Sequence, residues 1–179
     1  FQIYCDFSGY SDIAIGVSKL FGIEIMSNFK FPYFSRNIEE YWNRWHISLS
    51  SWFRDYIYIP LFNKVDDDDI IDQTLVYKIQ GIKITVITFL ISGLWHGANW
   101  TFIFWGLFHA ILFIPSLIFN AKKQYTSSVI AQNKILLTLK ELFQVGKTFI
   151  LVTISWVFFR SENLTDAFNY LNNIFSKSL

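Results

Sequence analysis

The chain has 179 residues, of which 53% are hydrophobic, 20% aromatic and only 16% charged, and its mean hydropathy is +0.32. Soluble domains carry about 25% charged residues, so this composition excludes an ordinary soluble domain and points to an integral membrane protein. A net charge of +1, one cysteine and three scattered histidines exclude a nucleic-acid-binding footprint, an intramolecular disulfide, a Cys-x-x-Cys motif and any standard zinc spacing.

The sequence begins at Phe1 inside an apolar stretch, with no initiator Met and no signal peptide. It reads as residues 1–179 of a single polytopic membrane domain, its C-terminal portion, with N-terminal transmembrane helices missing. In residues 1–25, Ile13, Val17, Leu20 and Phe21 fall on one helical face. Asp6 and Asp12 stand there among aromatic and small residues. Two readings remain open for them: caps on a helix N-terminus, or intramembrane carboxylates that pair with a cation or orient a histidine.

A polar-aromatic connector with Pro32 leads into residues 37–61. Asn37 followed three residues later by Glu40 resembles a capping box. Trp42, Trp45, Leu49, Trp52 and Tyr56 alternate spacings of three and four, giving one aromatic stripe on a helix. Glu40, Arg44, Ser48, Ser51 and Asp55 mark a separate polar face. Its charges keep this run from spanning a bilayer, and its Trp and Tyr place it at the membrane–water interface. Pro60 is expected to limit its continuation. His46 lies beside the stripe, where a packed ring and a catalytic one both fit. Asp66–Asp69 with Asp72 lacks EF-hand spacing and reads as a solvated loop.

The next apolar helix is expected over Ile79–Trp95, with Lys78 and Lys83 near its start. Its apolar part, Ile84–Trp95, has 12 residues, short of the ~20 that cross a bilayer, so His96 lies at depth only if Lys83 snorkels to the interface. This part ends in Ser-Gly-Leu-Trp-His-Gly-Ala-Asn (92–99), where His96 interrupts a long apolar stretch. An ionisable ring at membrane depth is costly unless it lines a polar cavity, so His96 is the leading functional candidate. Gly93, Gly97 and Asn99 suit a break in the helix at depth; Gly93 and Gly97 also make a GxxxG pair suited to close helix packing. Trp100–Phe119 is long enough to span, with a kink expected at Pro115. His109 on this segment reads as a packed ring supporting the site from behind. Residues 142–159 form a third span candidate closed by Arg160, and residues 163–175 a short amphipathic helix. Lys122, Lys123, Lys134 and Lys140 put the 122–140 connector in the cytoplasm by the positive-inside rule. The fold expected is therefore all-α: a polytopic membrane protein of three or four hydrophobic helices, with interfacial amphipathic helices around a polar funnel.

Four stretches, DFSGYSDIAIG (6–16), WNRWHISLSSWFRDYIYIPL (42–61), GLWHGANWTFIFWGLFHA (93–110) and WVFFRSENLTDAF (156–168), resemble the membrane-bound O-acyltransferase family. The nearest branch is the bacterial one that acetylates alginate. The match runs over nearly the whole chain in the right order; the further N-terminal helices of family members are absent. The resemblance implies that His96 is the catalytic histidine, in a channel through the membrane, and that His46 is its second characteristic histidine, at a position held by Asn or His in relatives. It implies acetyl-CoA or a similar acyl thioester as co-substrate, with no bound cofactor and no metal. It also implies a multi-pass location in the bacterial cytoplasmic (inner) membrane. The acceptor implied is a secreted polysaccharide, reached directly or through a separate extracytoplasmic acetyltransferase. In this reading neutral His96 takes the proton of an acceptor hydroxyl that attacks the thioester. Asp6, Asp12, Trp95, Asn99 and His109 support it, and His46, Asn99 or a Trp indole N–H stabilises the oxyanion. Two other classes compete: a transporter or channel relaying protons or ions through His96, Asp6 and Asp12, and a non-catalytic membrane scaffold for a soluble acetyltransferase.

Overall fold

The computed structural model describes residues 1–63, 73–119 and 138–177, and every regular element among them is helical. Helix α1 (Gln2–Leu20) starts at Phe1 without a side-chain cap, so Asp6 and Asp12 cap nothing; both are exposed along its length. It stops in a Schellman arrangement: Ile23 N–H donates to Ser18 O and Gly22 N–H to Lys19 O, with Gly22 at φ +73°. Its first half is held by rings, Tyr4 and Phe7 lying edge-on to Phe29 at 5.5 and 5.0 Å. The stripe read from Ile13, Val17 and Leu20 is real but uncovered, with exposures of 67%, 48% and 84%.

After a 3-10 turn at Pro32–Phe34, the expected single helix over 37–61 is broken into pieces: α2 (Ile38–Trp42), α3 (Ile47–Phe53), a π-helical turn (Arg54–Tyr58) and α4 (Ile59–Asn63). The predicted stripe is divided accordingly. Trp45 turns into the core at 4% exposure, while Trp52 and Tyr56 stay 50% and 68% exposed. Asn37 does accept from Glu40 N–H at 2.7 Å, but Glu40 does not return the bond to Asn37. Its carboxylate instead takes Arg36 N–H at 2.8 Å and the Arg36 guanidinium at 3.0 and 3.1 Å, with Arg44 joining at 2.7 Å. Two cations on one partly buried carboxylate outcompete the reciprocal cap. Pro60 does not end the segment. Ile59 N–H bonds back five residues to Arg54 O, and this wider π turn carries the chain past the missing proline N–H.

Three helices follow that are long and apolar enough to cross a membrane: Leu75–His96 within α5 (Gln73–His96), α6 (Trp100–Ile118) and α7 (Leu139–Arg160). The helix expected over 79–95 is found and starts earlier, at Gln73. The helix extends through Lys78 and Lys83, side chains of a length that permits snorkelling, and its 22-residue span covers about 33 Å at ~1.5 Å per residue. Thr138 and Glu141 form a reciprocal capping box at the start of α7. The last helix, α8 (Leu164–Lys177), buries Ala167 and sets Phe168 edge-on to Phe158 at 5.4 Å. The acidic run 66–69 and 72 and the lysines at 122, 123 and 134 lie outside the described residues.

Helices α5 and α6 form an antiparallel hairpin set by two glycines. Gly93 lies against the backbone of Phe102, and Gly106 against that of Phe89; a Cβ on either would come within 2.3 Å of a carbonyl oxygen. Gly93 therefore serves close approach rather than the break, and its partner is Gly106, not Gly97. A Gly106→Ala change is expected to push the hairpin apart, because its obstacle is backbone that cannot rotate away. Overpacking of this kind costs ~1–3 kcal/mol, read as a lower melting temperature of the purified protein in detergent; an unchanged midpoint would refute the close-packed hairpin. Helices α6 and α7 also run antiparallel, as the pairs Trp105–Phe159 and His109–Ser155 show.

Candidate active site

His96 is the last residue of α5. Gly97 turns the chain at φ +156°, with Phe102 so close that a Cβ would meet its ring at 2.7 Å. Asn99 then caps α6, accepting from Thr101 N–H at 3.1 Å, while its Nδ2 donates to Glu162 O at 2.8 Å. The turn after His96 is thereby tied to the α7–α8 junction. Aromatic edges frame the imidazole: Trp95 and Phe159 at 4.9 Å and Trp105 at 5.3 Å between ring centroids.

His46 is held by different means. It sits just before α3 in the left-handed region, φ +44°, uncommon for a side chain with a Cβ. Asn28, distant in sequence, enforces that conformation: its backbone oxygen accepts from Ile47 N–H at 3.0 Å, and its Oδ1 accepts from Ser48 N–H at 3.1 Å and the Ser48 hydroxyl at 2.6 Å. These are the amides at the start of α3 that its own cap leaves open. The His46 ring packs edge-on to Phe7 at 4.6 Å and lies 6.5 Å from Trp95. Burial pulls its pKa down to about 4, with His96 acting in the same direction, so the ring is neutral at pH 7.

The two histidines, from stretches 50 residues apart, line one cavity of about 760 Å³. Its wall follows one face of α5 through Thr85, Thr88, Ser92 and His96, roughly 16 Å at ~1.5 Å per residue. Among the described residues neither imidazole makes a hydrogen bond, which leaves both ring nitrogens of each available.

The remaining candidates separate. Trp95 lines the cavity and bridges the two histidines. Asn99 does not line it, and both its polar atoms are engaged in holding the turn. His109 is fully buried and faces away from the cavity; because the Ser155 hydroxyl donates to Val152 O at 2.7 Å, it accepts from His109 Nε2 at 3.0 Å. Trp105 stands between the rings of His96 and His109. Asp6 and Asp12 are exposed on α1 and outside the cavity lining. Among the described residues no three of His, Cys, Asp and Glu converge on one point. Sequence reading missed Asn28, whose only signal is a bond to residues about 20 positions away.

Two groups outside the long helices make the fold acid-sensitive. Burial works against the Glu40 charge, but hydrogen bonds and charge from Arg36 and Arg44 outweigh it and hold its carboxyl below the usual range. The stability it adds is present above the ordinary carboxylate pKa and fades as pH falls through the lowered one. His46 acts in the same direction: between 6.5 and about 4 the unfolded chain takes up a proton that the folded ring refuses. The melting temperature is expected to fall from pH 6.5 to pH 4 through His46 and to go on falling below the ordinary carboxylate pKa through Glu40; a flat profile over either range would contradict that group's assignment.

Residues 1–126 match the family described as MBOAT, membrane-bound O-acyltransferase. The chain belongs to this family. Over 98% of its length it is 42% identical to a protein of Pseudomonas syringae pv. tomato described as a probable alginate O-acetylase AlgI. It is also 38% identical, over 97% of its length, to a peptidoglycan O-acetyltransferase of Helicobacter pylori. A teichoic acid D-alanyltransferase of Streptococcus thermophilus is 40% identical over 62% of the chain. The alignments take in 30%, 29% and 26% of those proteins, so the chain spans less than a third of the length of the curated relatives it matches.

Proposed function

We propose that this chain carries the reacting centre of a membrane O-acyltransferase, which moves an acyl group, acetyl in the first instance, from a thioester donor to hydroxyls of an exported or cell-wall polysaccharide. The observation that carries the reading is the meeting of His46 and His96 in one cavity beside three apolar helices. The named activities of the relatives, on alginate, peptidoglycan and teichoic acid, supply the acceptor class. His96 acts as general base: it takes the proton of the acceptor hydroxyl as that oxygen attacks the acyl carbonyl, then returns it to the departing thiolate. Neutral His46 lines the same space and positions the acceptor. Acetyl-CoA or a similar thioester is the donor, the site is the bacterial cytoplasmic membrane, and a separate extracytoplasmic acetyltransferase is a partner that could pass the group onward.

A proton- or ion-relaying transporter would need Asp6 and Asp12 near His96, and their exposed positions outside the cavity favour acyl transfer instead. The test is a comparison of cells with and without the protein for alkali-labile acetate on exported glycans, with membranes supplied with acetyl-labelled thioester. Ester that appears only with the protein, together with donor consumption, supports the reading. Glycans free of ester in the wild type would overturn it and bring the transporter forward.

A further inference from the structure

Several hydroxyls on and just past the helices of this fold bond back to a carbonyl three or four residues earlier, as Ser and Thr at such positions can. Ser18 donates to Ile15 O at 3.0 Å, Ser116 to Phe113 O at 2.7 Å, Thr153 to Phe149 O at 2.8 Å and Ser161 to Val157 O at 2.7 Å. Ser92 does not. It is 6% exposed, it lines the cavity, and its hydroxyl has no hydrogen-bond partner among the described residues. Of the three hydroxyls that α5 brings to the cavity wall, those of Thr85 and Thr88 are closed off inside the protein, whereas that of Ser92 is not. Ser92 stands four residues before His96, so the two side chains share a helix face with their Cβ atoms ~5–6 Å apart.

His46 also lines the cavity and is assigned to the acceptor, while Asn99 and three Trp indoles are less well placed for the oxyanion. Asn99 is engaged at both polar atoms and lies outside the cavity lining. The indole nitrogens of Trp42 and Trp105 are sealed in the protein interior. Trp95 is 60% exposed.

We propose that the Ser92 hydroxyl is the hydrogen-bond donor to the acyl carbonyl oxygen in the transfer step, one helical turn from the base. This rests on the acyl-transfer reading above. As His96 takes the acceptor proton, the acceptor oxygen bonds to the carbonyl carbon and the C=O pair moves onto its oxygen, where Ser92 O–H donates. The C–S bond then breaks, the carbonyl re-forms, and the thiolate leaves with the proton held by His96. A buried, preformed donor at this point acts only as charge develops, and losing one such donor costs ~10²–10³-fold in rate.

The test compares Ser92→Ala and Ser92→Thr in the protein as expressed in its own membranes, at equal abundance, with acetyl-CoA as donor. Ser92→Ala is expected to lower kcat by ~10²–10³-fold with KM nearly unchanged and a pH–rate profile of unaltered shape, while Ser92→Thr, which keeps the hydroxyl, recovers most of the rate. A Ser92→Ala rate within threefold of wild type would overturn the assignment and leave the acyltransferase reading intact. So would equal losses in both variants, which would mean packing, or a shifted pH profile, which would mean that Ser92 acts through His96. Failure of the underlying reading would show earlier, as absence of acyl transfer in the wild type.

Discussion

His96→Ala is expected to abolish polysaccharide acylation while leaving the amount of protein in the membrane unchanged. Removal of a positioned general base costs ~10²–10⁴-fold, and no other imidazole can substitute. His109 is buried on the far side of Trp105 with its Nε2 bound to Ser155, and His46 sits on a separate segment fixed by Asn28. The fold should tolerate the change, because His96 makes ring contacts but no hydrogen bond among the described residues. The measurement is alkali-labile acetate per unit of exported glycan, normalised to membrane abundance. Acetylation retained at wild-type level would remove His96 from the chemistry and favour a scaffold that recruits another transferase.

The second large effect concerns His46, where backbone and ring can be separated. His46→Ala loses the imidazole and leaves a Cβ-bearing residue at φ +44°, a conformation that costs ~1–2 kcal/mol for residues without a helpful side chain. His46→Asn keeps a donor and an acceptor and suits the left-handed region, which Asn adopts more readily than most residues. The expected order of acylation rate is wild type, then Asn within about tenfold, then Ala lower by about 10²-fold. The melting temperature should drop for Ala more than for Asn. Equal activity in all three would show that His46 only packs against Phe7 and Trp95.

Much of this protein follows from local chemistry. The three apolar runs had to become helices, because in lipid every backbone amide must find its partner within the segment. Gly97 and Asn99 announced the turn after His96, since one adopts a backbone that a Cβ resists and the other caps the next helix. The family motifs pointed to the two histidines. Local pattern failed where distant residues compete for the same groups. The regular spacing from Trp42 to Tyr56 is good helix periodicity, yet Asn28 captures the amides of Ile47 and Ser48 and forces His46 out of the helix. The capping pattern at Asn37 and Glu40 was half realised, because Arg36 and Arg44 supply stronger partners for the carboxylate.

The sequence by itself determined the membrane class, the helical architecture and the candidacy of His96, because hydropathy, glycine placement and an intramembrane imidazole are properties of contiguous residues. Only the tertiary structure decided that His46 shares its cavity, that Asn99 and His109 are structural ties, and that Ser92 keeps a free hydroxyl. Each of these depends on which groups meet across helices. Gly93 and Gly106 set how closely α5 and α6 approach, and Asn28 holds α3 from outside its own segment. Such contacts are won by competition in three dimensions, and periodicity along one segment carries no record of the competitors.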